Sequence, residues 1–326
     1  MGGAMRPFRF SVQAFEAASG TEWLDTARRA EDLGYAALFA TDHYFGPGAI
    51  SDETGHRPVD VAPIAAITAA AAATTTLRVG CRVFCVDYHH PVVLAKELAT
   101  VDLLSEGRLE VGLGAGWVAA EYEGMGLRMG GAGERIERLA EVVGLLKAHW
   151  SGDPVDFAGK HVRAHGFAGR PLPVQRPHPP VMIGGGARRI LRTAGRLADI
   201  VSINFNNAAG RLGSGSVAGS GLSETEQKLA WVREGAGDRY DDLEIEIAAY
   251  FVAVTDDPGA AVQAMSTRFG VEPAELLRHP HALIGSVEEI CDRLVERREG
   301  LGVSYVNVAQ RHLAEFAPVV ARLAGS

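Results

Sequence analysis

Short runs rich in Val, Ile and Phe alternate along this chain with longer stretches in which apolar residues return at helical spacing, the signature of repeated strand–helix units. Residues 8–13 read as a first strand, and a helix over about 23–33 stops at Gly34, the residue type that most readily takes the left-handed turn ending a helix. Strands follow at 37–41, 77–85 and 109–113, with helices at 62–74 and 91–104 between them. Pro91 suits a first helical turn. A long helix over 134–150 leads into an excursion at 155–165 that reads as a hairpin turning at Gly159-Lys160. Strand five is 181–183, the helix 187–198 follows, and strand six is 200–203. The stretch 210–221 is mostly Gly and Ser and reads as a mobile loop, either a lid or a surface insertion. Ser223-Glu224-Thr225-Glu226 and Ser286-Val287-Glu288-Glu289 both carry the capping-box pattern that opens a helix. Strand seven is 244–254, strand eight is 305–308, and a last helix ends near Leu323.

Eight strands alternating with helices predict an α/β fold, a (β/α)8 TIM barrel forming a single domain over 1–326, with insertions near 155–165, 206–222 and 255–285. The competing architecture, a doubly wound open sheet, loses ground because no G-x-G-x-x-G string opens a helix after the first strand.

Composition narrows the function. Of 326 residues, 47% are apolar and 22% charged, enough to bury a large core. The formal net charge of −8 has the wrong sign for a protein that works by neutralising nucleic-acid phosphates. The longest apolar run, 61–73, is mostly alanine and too short to span a bilayer, and the N-terminus lacks a signal-type apolar stretch. A cytosolic protein is expected, with no membrane or nucleic-acid partner. Cys81 and Cys85 on one strand would sit roughly 13 Å apart, too far for a disulfide. No zinc-type spacing of Cys or His occurs, so no metal site is expected.

In a barrel, chemistry belongs at the C-terminal ends of the strands. After strand two stands Thr41-Asp42-His43, an imidazole beside a carboxylate that suits proton transfer and equally suits a capped turn. Strand three holds Arg82, Val83 and Cys85. A guanidinium there needs a partner, and a salt bridge that supports the fold is the simpler account. After strand four, Gly114, Ala115, Gly116 and Trp117 let a backbone approach a flat ligand beside an indole face, or make a tight turn with none. After strand five, Gly184, Gly185 and Gly186 precede Ala187, Arg188 and Arg189 at a helix start. Free N–H groups and two arginines there would suit a phosphate.

Together these strings resemble the bacterial luciferase-like class of oxidoreductases, in particular its actinobacterial branch dependent on the deazaflavin F420. The matching pieces are Ala30 to Tyr35, Thr41-Asp42-His43, Leu77 to Gly80, His90-Pro91 with Ala95 to Asp102, Ser105 to Leu109, Gly112 to Trp117 with Glu121-Tyr122, and Val181 to Gly186. They cover 8 to about 205 strongly, with a further match over 286–308. The resemblance implies a cofactor ring at the barrel mouth, contacted by Asp42, with His43 as the catalytic proton donor or acceptor. It implies a non-prolyl cis peptide near Arg82-Val83, Cys85 beside the cofactor, the 114–117 turn around it, and its phosphate on Gly185, Gly186, Ala187 and Arg188. The chain departs from the class's sugar-phosphate dehydrogenase, which has a catalytic glutamate where Trp117 stands here.

The expected activity is therefore an F420-dependent oxidoreductase moving a hydride between the deazaflavin C5 and a small organic molecule, reducing an activated C=C, C=O or C=N bond. The alternatives are an FMN-dependent monooxygenase using reduced flavin and oxygen, and a cofactor-binding protein without turnover. The resemblance also implies a homodimer.

Overall fold

Alternation within each strand sorts its side chains to two sides. In the computed structural model, which describes residues 5–207 and 214–326, strand β1 (Arg9–Gln13) turns Phe10 and Val12 into the large core between strands and helices. Strands β2 (Ala37–Ala40), β3 (Arg78–Cys85), β4 (Leu109–Gly114), β5 (Val181–Gly185), β6 (Ile200–Ile203), β7 (Glu244–Ala249) and β8 (Val303–Ala309) follow the same logic. All neighbours pair in parallel, and β8 pairs back onto β1, with Arg9 opposite Tyr305 and Val12 opposite Val308. The expected eight-stranded closed barrel is thus the observed one. A second, small core of Ala37, Phe39, Met182, Ile200 and Tyr305, with Val83 against it, fills the inside.

The long helix Ala132–Ser151 precedes an antiparallel hairpin, Val155–Ala158 with Arg163–Phe167, at the expected place. Two expectations change. The run over 244–254 is two strands. The N–H groups of Tyr250 and Phe251 both turn to the carbonyl of His281, and Phe251–Val254 pairs with Ala282–Gly285 in a separate two-stranded sheet. Phe251, Ala282 and Ile284 bury themselves there with Val262, Val271 and Leu276, a core that could not form if the strand stayed in the barrel.

The second change concerns helix starts. Ser286 does make a full capping box with Glu289. Ser223 does not cap: the helix Leu222–Ala236 starts from Gly221 without a side-chain cap. Thr225 and Lys228 reach back to Ser220 and draw the chain into the helix before Ser223. Of the glycine-rich stretch at 210–221, residues 210–213 lie outside the described residues, and the lid-or-insertion expectation falls largely on them; Ser214–Ala218 is a short helix whose Val217 is buried in the second sheet's core.

Candidate active site

His43 leaves the end of β2 and meets a carboxylate that the strand-end reading did not assign. Glu121, on the short helix Ala119–Gly124 after β4, places Oε2 2.7 Å from His43 Nδ1. Glu121 is 2% exposed and also accepts from the Tyr44 N–H (2.6 Å) and the Tyr88 hydroxyl (3.0 Å). Burial pushes its carboxyl up, but the hydrogen bonds from His43, Tyr44 and Tyr88 outweigh this and hold it below the ordinary range. An ionised carboxylate only accepts, so His43 Nδ1 carries the hydrogen and Nε2 is the nitrogen left to act. Glu121 stands one helical turn beyond Trp117, at the first turn of an element on the barrel mouth; that position was the available signal.

Around this pair lies a cluster of rings. His56, from the connection after β2, lies tilted against His43 with ring centroids 4.4 Å apart and contacts Phe45, Phe15 and Trp117 at 5.7, 5.8 and 6.0 Å between centroids. Trp117 meets His43 edge-on at 6.0 Å. Burial first, then the neighbouring His43, pushes His56 down to about 4, so it is a neutral ring at physiological pH. Its Nδ1 sits 2.8 Å from the Arg57 carbonyl and donates to it.

Asp42, 2% exposed, organises its neighbours: Oδ2 accepts from the Cys85 N–H and from His89 Nε2, both at 2.8 Å. Cys85 Sγ touches the Tyr122 hydroxyl at 3.3 Å, and that hydroxyl donates to Asp87 at 2.8 Å. Burial pushes the Cys85 thiol up to about 12, so it stays protonated at neutral pH. Gly116 has φ +72°, and a Cβ there would lie 2.1 Å from the Tyr122 oxygen. The turn from Gly114 through Ala115 to Trp117 is held from outside by Arg135, whose Nε donates to the Ala115 carbonyl at 2.9 Å.

Arg82 precedes a cis peptide to Val83, where the β3–β4 register shifts, as the resemblance implied. Its guanidinium is 5% exposed and bonded to Glu246 (3.0 Å), Ser202 (2.9 Å) and Asn204 (2.7 Å), and its carbonyl accepts from Gln13. This is the fold-supporting salt bridge, across 164 positions of sequence. With donors and carbonyl engaged by the protein, Arg82 underlies the site and offers a ligand nothing directly; Val83, half-buried, packs on the inner core.

At the end of β5 the glycines serve the protein's own packing. A Cβ at Gly186 would lie 2.3 Å from the Phe205 carbonyl oxygen. Ala187, the N-cap of the helix Arg188–Leu197, supplies no side-chain hydrogen bond, so the first N–H groups of that helix have no capping side chain. The N-terminus of Ala132–Ser151, behind Gly131, is likewise uncapped by a side chain. Gly185, Gly186 and the backbone at Ala187 and Arg188 therefore fit an anionic group. The Arg188 and Arg189 side chains do not lie on the turn: they reach outward to Glu234 and Glu137. Among the described residues no cluster of His, Cys, Asp or Glu could hold a metal ion, and no helix is long and apolar enough to cross a membrane.

Comparison with known proteins identifies the family of the chain. The chain is 29% identical over 299 residues, 88% of its length and 80% of the relative's, to an F420-dependent glucose-6-phosphate dehydrogenase of Nocardia farcinica (strain IFM 10152). It is 34% identical to an FMNH(2)-dependent dimethylsulfone monooxygenase of Pseudomonas putida over 120 residues, which spans 37% of this chain and only a third (33%) of that relative. In fold it is similar to the coenzyme F420-dependent tetrahydromethanopterin reductase of Methanopyrus kandleri, with a TM-score of 0.74, 19% identity, and 98% and 100% of the two chains covered. The family model described as luciferase-like monooxygenase matches residues 3–281. With its closed parallel barrel and its His43 and Glu121 at the mouth, the chain belongs to the luciferase-like monooxygenase family.

Proposed function

We propose that this protein is an F420-dependent oxidoreductase acting on a small organic substrate, with His43 as its proton-transfer group. The observation that carries the reading is the His43–Glu121 pair, which fixes one imidazole nitrogen as a donor and presents the other at the barrel mouth. Bound F420 would supply hydride chemistry at C5 of its deazaflavin ring. His43 Nε2 would take or give the accompanying proton. Glu121 holds His43 in the required tautomer, Asp42 braces the Cys85 backbone, and Gly114, Ala115, Gly116 and Trp117 would flank the ring. Val83 and Cys85 would lie behind it, and Gly185, Gly186, Ala187 and the Arg188 backbone would hold its phosphate. The ring cluster of His56, Phe45 and Trp117 would shield the ring from water. A relative matched over most of both chains is F420-dependent, which supports this cofactor over FMN. Trp117 stands where sugar-phosphate oxidation needs a glutamate, so reduction of an activated C=C, C=O or C=N bond is the favoured reaction. A cytoplasmic homodimer belongs to the same reading.

FMN is the second reading, favoured by the 34% identity to the dimethylsulfone monooxygenase over part of the chain. Equilibrium titration with F420 and with FMN, read by quenching of each cofactor's fluorescence, separates the two. Tight F420 and weak FMN binding is the expected result. The reverse, with oxygen uptake during turnover, would make the protein a flavin monooxygenase, and binding without turnover in either wild type or His43→Ala would leave a cofactor-binding protein.

A further inference from the structure

Two imidazoles share the barrel mouth, and the strand-end pattern singles out only one of them. His56 is held by its own main chain: Ser51 Oγ donates to its carbonyl at 2.8 Å, and its N–H donates to Thr54 Oγ1 at 3.2 Å. Its ring centroid lies 4.4 Å from that of His43, with the two planes tilted by 51°. Trp117 closes the same space, 6.0 Å from each ring.

In both rings the protein engages the Nδ1 side. His43 Nδ1 faces the Glu121 carboxylate at 2.7 Å, and His56 Nδ1 faces the Arg57 carbonyl at 2.8 Å. Each of those oxygens only accepts, so each Nδ1 carries the hydrogen, and the neutral ring has a bare lone pair at Nε2. Neither Nε2 has a hydrogen-bond partner among the described residues. The two rings differ in what stands behind them. His43 is backed by an anion, so it can hold a proton as well as a lone pair. His56 is backed by a neutral carbonyl and sits beside His43; with its value pushed down to about 4, it stays an acceptor through the neutral range. Glu121 is ionised, and Arg57 turns its guanidinium away to Glu16 at 2.7 Å, so the charge adjoining the pair is negative.

This fork of lone pairs sorts the three bonds open to reduction. A carbonyl oxygen between the rings would meet a proton from His43 on one side and an opposing lone pair of His56 on the other. An alkene carbon gives His56 no hydrogen to accept. An imine nitrogen, once protonated by His43, turns an N–H⁺ toward two lone pairs with an anion behind them. That is a charge-assisted contact, and it is strengthened where water is kept out.

We propose that the substrate is an imine, reduced to an amine, and that His56 selects it by accepting the iminium N–H. The inference rests on the F420 reading and narrows it to C=N. His43 Nε2 gives its proton to the imine nitrogen, and the imine carbon takes a hydride from C5 of the reduced deazaflavin. The C=N π pair becomes the lone pair of the amine, and the proton that leaves the oxidised cofactor's ring restores His43. Imine and F420H2 thus give amine and F420, with no further reactant.

The first test needs no turnover. In nitrogen-resolved NMR of the cofactor-free protein at neutral pH, His56 should show its hydrogen on Nδ1. Its Nε2 resonance should move when pyrrolidinium chloride, the amine of a five-membered cyclic imine, is added, and stay still with cyclopentanone. The second test follows F420H2 oxidation by pyrroline, cyclopentenone and cyclopentanone, which share a ring size. Pyrroline should have the highest kcat/KM. Its preference over cyclopentenone should fall about 10- to 100-fold in His56→Phe, which keeps a ring and loses the acceptor. His56→Gln restores an acceptor oxygen and should recover most of that preference. Reduction of the ketone or enone ahead of pyrroline, an unchanged preference in His56→Phe, or a still Nε2 resonance overturns the imine assignment while F420 dependence stands. If only FMN binds, the F420 reading fails and the reductive step fails with it.

Discussion

His43 and Glu121 make the most exacting claims at the scale of single residues. Removing the imidazole in His43→Ala should lower kcat/KM by about 10²- to 10⁴-fold, the usual worth of a positioned proton-transfer group. Glu121→Gln retains the shape but loses the ionised acceptor that fixes the tautomer, so kcat should fall roughly 10- to 100-fold with a displaced pH profile and little change in KM. Wild-type kinetics and pH profile in that variant would show that the pair is only structural. His56 yields a stability prediction. Its folded value of about 4 lies below the ordinary 6.5, so as pH falls through 6.5 the unfolded chain takes up a proton that the native ring refuses. The stabilisation is complete above 6.5 and is lost as pH falls toward 4. Urea midpoints at pH 7 and pH 5 should show a loss in wild type that is smaller by about 2 kcal/mol in His56→Phe; equal losses would place the ring in water. His43 was legible as a strand-end imidazole because its neighbours in sequence mark the end of β2. Glu121 was not, because its partner lies 78 positions away.

Among the elements, helix ends separate pattern from geometry. The two Ser-x-x-Glu strings look alike, yet Ser286→Ala should cost about 1 kcal/mol in chemical denaturation and Ser223→Ala almost nothing. Equal effects would mean that Ser223 caps the helix Leu222–Ala236 in solution. That helix also crosses Arg188–Leu197 closely: a Cβ on Gly195 would sit 2.2 Å from the Val232 carbonyl oxygen, backbone that cannot rotate away. Gly195→Ala should therefore destabilise by about 2 kcal/mol or more, seen as a lowered Tm. The periodicities that define helices and strands were readable because they are local. The break of the 244–254 run at Tyr250 was not, because no Gly, Pro or turn residue interrupts the run and only the partner strand Ala282–Gly285 decides where the chain changes sheets.

Across the whole molecule, buried charges lock the barrel at both levels. Near the strand starts, Glu110 is bonded by Arg9, by Arg78 (2.6 Å) and by the Tyr305 hydroxyl (3.1 Å), and Arg9 continues to Glu244 (2.7 Å). Glu110→Ala leaves two guanidiniums without their shared anion and should cost about 3–5 kcal/mol in urea unfolding; a loss under about 1 kcal/mol would mean that water replaces the carboxylate. Higher up, Arg82 and Glu246 do the same beneath the site. The sequence by itself determined the strand–helix alternation, most element positions, the hairpin and the strand ends where chemistry belongs, because periodicity, capping and turn chemistry act over a few residues. Only the tertiary structure decided that Arg82 serves the fold, that Glu121 orients His43, and that Arg188 and Arg189 reach outward to Glu234 and Glu137. Those outcomes depend on which distant side chains the closing barrel brings within hydrogen-bond reach, and a carboxylate or guanidinium in a sequence carries no record of the partner it will meet.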